Sequence, residues 1–113
     1  MKKDLFTHLE STMKLQVQLI GVDGDPLDME DVTVKFGVAE DVTGETLEIL
    51  DLSDGISIIN PAQAVIEIDF TPKKANGFKN QDLVYQVQVT IVSQLYTYVA
   101  LEGRIFITAS LFD

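Results

Sequence analysis

At 113 residues and 46% hydrophobic content, the chain is long enough for one domain with its own core and too short for two full ones. Its 18 Asp and Glu against 8 Lys and Arg give a net charge of -10, which opposes non-specific binding to nucleic acid or to an anionic membrane surface. The absence of cysteine removes disulfides, thiolate chemistry and Cys-based metal sites.

No stretch approaches the ~18 apolar residues of a membrane span. Met1, Lys2 and Lys3 would suit the charged start of a signal peptide, but Asp4, His8 and Glu10 interrupt any apolar region, so no signal peptide is expected. Residues 1–12 are read as an N-terminal arm. Leu5, Phe6 and Leu9 mark either one stripe of a short helix or an arm that packs on the domain or on a neighbour; a frayed terminus is the competing reading. Residues 13–113 are expected to form a single domain.

The clearest pattern runs from Lys14 to Val38. Leu15, Val17 and Leu19 share one parity, as do Val32, Val34, Phe36 and Val38, with polar residues between them. A period of two marks strands with one buried face, expected over 13–20 and 31–38. Between them, Gly21 to Asp31 is dense in Asp-Gly and Asp-Pro turn chemistry. Short strands follow at 46–50 and 55–59, separated by the Ser53-Asp54-Gly55 turn and stopped by Asn60-Pro61. Residues 64–70 alternate again, with Glu67 and Asp69 on the polar face. In the loop 71–82, Thr71-Pro72 suits the start of one helical turn and Gly77 its stop. Residues 83–91 form the longest alternating strand, and 93–96 turn the chain. A strand over 96–101 is expected to break or bulge at Glu102-Gly103, before a closing strand over 104–111. These about seven or eight short strands, with no helix following a strand, argue for an all-β antiparallel sandwich.

Catalytic signatures are lacking. His8 is the only histidine and has no dyad or triad partner in sequence. Asp23, Asp25 and Asp28 are spaced roughly as cation ligands, but Pro26 and Leu27 interrupt them and no glutamate closes the loop, so solvated turn carboxylates are the better reading. Glu40, Asp41 and Glu45 read as loop surface, and Glu67 with Asp69 as a solvated sheet face rather than a glycosidase pair. The isolated glycines make no phosphate-binding loop, and Lys73, Lys74 and Lys79 are too few for a nucleic-acid footprint. Tyr96 and Tyr98 lack the flanking bases of an RNA platform, which leaves core or interface packing. No metal, cofactor or catalytic residue is therefore expected.

Leu15, Val17, Leu19, Asp23, Gly24, Pro26, Leu27, Asp28, Val32, Val34 and Phe36 follow an order of strand, Asp-Gly turn, Pro-x-Asp-like step and Val-x-Phe strand. With Gly55, Ile66–Phe70, Gly77, Tyr85, Gly103, Ile105 and Ile107, this resembles the N-terminal domain of phage baseplate upper proteins and related phage structural proteins, over about residues 13–109. The resemblance implies an immunoglobulin-like β-sandwich that assembles into a virion in the host cytoplasm without catalysis. Its partners would be other virion proteins or itself, as a homo-oligomer or repeated assembly, with no nucleic acid or membrane. Two departures stand out: Glu10-Ser11-Thr12 replaces a glycine frequent before the first strand, and the sequence stops at Asp113, where the family usually continues into coiled-coil or receptor-binding regions. A head, neck or tail accessory protein is then as consistent as a baseplate part. Candidate contact residues are Leu5, Phe6, Tyr96, Tyr98, Phe106, Leu111 and Phe112. The alternative is a small carbohydrate- or protein-binding sandwich module using a loop end with Tyr96 and Tyr98.

Overall fold

A computed structural model describes residues 1–41 and 43–109. The strands are β1 Leu5–His8, β2 Met13–Gln18, β3 Val32–Ala39, β4 Thr46–Leu52, β5 Gly55–Asn60, β6 Val65–Phe70, β7 Gln81–Ile91 and β8 Tyr96–Thr108. Only 3-10 turns, at Lys74–Asn76 and Val92–Gln94, interrupt them among the described residues. The chain is all-β. Alternation is the cause: β3 buries Val32, Val34, Phe36 and Val38, and β7 buries Leu83, Tyr85, Val87 and Val89, with the residues between them facing outward.

Backbone pairing runs in the order β1-β8-β7-β3-β4-β5-β6-β2. The β4–β5 link holds only Asp51↔Gly55 and Leu52↔Ile56, across a tight turn. Phe36 and Phe70 are three strands apart in that order, roughly 14 Å in a flat sheet. Their ring centroids are 5.5 Å apart. The sheet therefore folds over at the β4–β5 link into two facing layers, β1-β8-β7-β3-β4 and β5-β6-β2. Antiparallel pairs dominate both layers, and β1 lies parallel along β8. This is an immunoglobulin-like β-sandwich, the expected class.

Three local expectations need correction. The N-terminal arm is not a helical stripe: β1 pairs Leu5↔Ile105 through His8↔Thr108, so alternation buries Leu5 and turns Phe6 to solvent. Sequence periodicity could not show a partner a hundred residues away. Secondly, β8 does not break at Glu102-Gly103. It runs through, and its irregularity lies at Ala100, because Val87 pairs with Leu101 and Gln88 with Val99. Thirdly, the helical turn starts after Lys73 rather than at Pro72; the Glu10 carboxylate accepts the Lys74 N–H at 2.7 Å. Gly77, at φ 91°, ends the turn as expected.

One acidic side chain turns toward the interior. Glu48 lies opposite Val38, whose side chain faces the core. Its Oε2 is buried without a hydrogen-bond partner among the described residues. Desolvation pushes its pKa above the usual value; Lys73 pulls it down and Asp54 adds to the rise. The folded protein thus holds this proton more tightly than the unfolded chain. The resulting penalty is absent below the ordinary glutamate pKa and grows as pH rises through the folded one. Glu48→Gln is expected to stabilise the protein at neutral pH by under about 1 kcal/mol, since the site is only partly shielded from screening water. The gain should vanish in acid, as read by denaturant midpoints across pH.

Candidate interaction surface

Strand register gathers three connections at one end of the sandwich. Gln18 pairs with Val65, and Val65 with Asn60, so β2 and β5 end where β6 begins. In the other layer Val32 pairs with Ile91, and Ile91 with Tyr96. β5 continues in the direction of β4, which places both sets at the same end. The connections are 19–31, 61–64 and 92–95. Sandwiches of this kind cluster their loops at the two ends, where the rigid scaffold holds them.

Backbone and side-chain hydrogen bonds fix these loops. Asp31 joins two of them: its carbonyl accepts the Val92 N–H at 2.8 Å, and its carboxylate accepts the Ser93 N–H at 3.0 Å and the Ser93 hydroxyl at 2.5 Å. The Leu19 N–H reaches the Ala64 carbonyl at 2.9 Å, and the Leu27 N–H returns to the Leu19 carbonyl at 3.0 Å. Met29 is buried beneath. The acids serve the turns. Asp23 accepts the Asp25 N–H at 3.1 Å, and Asp28 accepts the Glu30 N–H at 3.0 Å. The structure therefore does not gather Asp23, Asp25 and Asp28 into a ligand set, and no metal-binding group of three or more His, Asp or Glu exists among the described residues.

What this end displays is apolar. Val22 is fully exposed and Leu95 is 90% exposed; Ile20, Ile58, Ile59, Val92 and Tyr96 are also open to solvent. Among the described residues, the other large exposed hydrophobics are Met1, Phe6 and Ile49. Leu95 sits in left-handed backbone at φ 51°, where glycine would be less strained. Around these side chains, Asp23, Asp25, Asp28, Glu30 and Asp31 supply only negative charge; residues 19–34, 58–64 and 91–98 hold no Lys or Arg.

The sequence singled out Tyr96 and Tyr98 at this end. Their rings stack on each other, with centroids 5.8 Å apart and planes at 24°. Tyr98 is half-buried against the core, and desolvation, then Tyr96, raises its pKa. Val22, Val92, Leu95 and the Ile58-Ile59 pair were missed. The signal was there: Val22 sits between Gly21 and Asp23, and Leu95 follows Ser93-Gln94, apolar residues in turn positions with no strand parity to bury them.

The remaining candidates lie elsewhere. Leu5 is in the core and offers no contact surface. Phe6 and Phe106 stack at 5.0 Å on the outer face of β1 and β8, far along the chain fold from the loop end. Leu111 and Phe112 lie outside the described residues. Lys14 bridges Glu67 at 3.5 Å and Asp69 at 3.2 Å, so that carboxylate pair is an ion-paired sheet face. The same contacts, Asp69 foremost, raise the Lys14 pKa. Asp41 accepts the Thr43 hydroxyl and N–H, both at 2.9 Å, and these hold its carboxyl below the usual range. His8 Nδ1 meets the Thr108 hydroxyl at 2.9 Å.

No family model and no curated protein matches the chain. Among solved structures, a chain of the crystal structure of ICOS in complex with ICOS-L and an anti ICOS-L VNAR domain is similar at 10% identity and a TM-score of 0.47. The match covers 96% of this chain and 55% of that one, so this chain spans about half of that neighbour's length.

Proposed function

We propose that this chain is a non-catalytic protein-binding module that works as a phage virion structural or assembly component. The observation that carries the binding reading is the loop end: exposed Val22 and Leu95 on hydrogen-bonded, acid-rimmed loops. Leaving Leu95 exposed in left-handed backbone costs stability that glycine would not, and such strain is retained where a side chain has work to do. Rigid apolar side chains lose little entropy on binding. The acid rim selects a partner with apolar sockets framed by Lys or Arg, because like-charged or unpaired contacts would be penalised. The virion setting rests on the resemblance of residues 13–109 to phage baseplate upper proteins.

Leu95→Gly separates binding from folding. Thermal melting of this variant should match or exceed the parent, while its incorporation into purified phage particles, followed by mass spectrometry, should fall. Val22→Asp should behave alike. Unchanged incorporation of both variants would reject the loop end; absence of the parent chain from particles would reject the virion assignment.

A further inference from the structure

The three-stranded layer has an open edge. β2 closes the pairing order, and its far side meets no strand among the described residues. β1, the segment that precedes it, has gone to β8 in the opposite layer. The Leu19 N–H to Ala64 carbonyl bond continues the β2–β6 register and sets which groups face which way. Odd-numbered residues exchange bonds with β6, so the N–H and C=O groups of Lys14, Gln16 and Gln18 point outward. None of these has a backbone partner among the described residues.

Edges of this length are usually shielded by a bulge, a proline or a charge held over the rim. β2 has no bulge and no proline. Its one charge, Lys14, leans the other way, onto Glu67 and Asp69 of β6. Gln16 likewise bonds Glu67 at 3.1 Å, and Gln18 bonds the Gln63 carbonyl at 3.1 Å. All three side chains that could cover the edge are drawn off it.

We propose that β2 pairs antiparallel with β2 of a second copy, about a two-fold axis through Gln16. The strand is self-complementary in that register. Gln16 meets Gln16 of its partner, and Lys14 meets Gln18, so no like charges are opposed. On the inner face Leu15 meets Val17 and Met13 meets Leu19, extending the apolar side of both layers. The two three-stranded layers become one six-stranded sheet, an isologous contact with its backbone groups satisfied. It leaves the loop end of each copy free.

Gln16→Pro tests this directly. The proline removes an outward N–H and spares the ladder to β6, so the domain should keep its circular dichroism while its dimer dissociation constant rises at least about tenfold. Light scattering of the parent chain should show mass rising to two copies with concentration. Hydrogen exchange on the parent gives a readout that does not depend on the variant folding. The Lys14, Gln16 and Gln18 amides should gain protection as concentration rises, and the Leu5–His8 amides should not. A parent that stays monomeric at millimolar concentration, or a dimer in which those three amides exchange as in the monomer, would overturn the proposal.

Discussion

Phe36→Ala is expected to lower the free energy of unfolding by about 3–5 kcal/mol, the largest loss from any single truncation in this chain. Phe36 is completely buried at the middle of β3, between β4 and β7. Its ring lies 5.5 Å from Phe70 in the opposite layer and 5.8 Å from Tyr85 in its own. Phe70 in turn meets Phe78 edge-on at 5.4 Å. Among the described residues, strand pairing between the two layers is confined to the short β4–β5 link, so this aromatic row and the aliphatic residues around it hold them together. Truncation removes apolar burial and leaves a cavity that the neighbouring strands are too constrained to fill. Domains of this size have about 5–15 kcal/mol in total, so urea should unfold the variant at a much lower midpoint. Phe36→Leu, which keeps most of the volume, should cost under half as much. Ile49→Ala, outward on β4 and 55% exposed, should cost about 0.5 kcal/mol or less.

Legibility from sequence tracks whether the determining interaction is local. Parity alone identifies Val32, Val34, Phe36 and Val38, or Leu83 through Val89, as core, because each strand carries its own two-fold pattern. Gly77 was readable because a left-handed helix stop favours glycine whatever lies around it. Gly103 was misread as a break, since its reason is tertiary: the N-terminal segment passes across it. β1 was unreadable for the same cause, as a four-residue parallel edge strand has no periodicity of its own and forms only once β8 exists. At the loop end, the acids of 21–31 showed as turn chemistry, and the turns are where the structure uses them. The apolar tips were overlooked because strand parity assigns no face to a residue in a turn.

Gly103→Ala should detach the N-terminal strand. A Cβ on Gly103 would meet the Lys3 carbonyl carbon at 2.8 Å, and its oxygen closer still, a backbone clash that no rotamer relieves. Three hydrogen bonds hold residues 1–3 there. The Lys3 N–H bonds the Glu102 carbonyl at 2.9 Å, the Glu102 N–H bonds the Met1 carbonyl at 3.0 Å, and the Tyr85 hydroxyl donates to the Lys3 carbonyl at 2.5 Å. The cost is capped by what the segment contributes, because the strand can leave. Burial of Leu5 and Leu9 contributes about 3–6 kcal/mol, offset in part by the ordering of the residues that carry them. A net loss of about 2–3 kcal/mol is expected, with amide exchange rising along 2–9 and along the β8 residues they pair with. Removing residues 1–9 should cost a comparable amount by itself and make Gly103→Ala nearly neutral, a non-additivity that a merely poor strand residue would not show. The alkaline limb carries a second signature. Burial, then Asp4, pushes the Tyr85 pKa up to about 12 from 10.0, so the folded state keeps this proton longer than the unfolded chain. That contribution is complete below pH 10 and is lost as pH rises toward 12. Once the segment has gone, the hydroxyl faces water, and the variant's stability should fall less steeply over this range than the parent's.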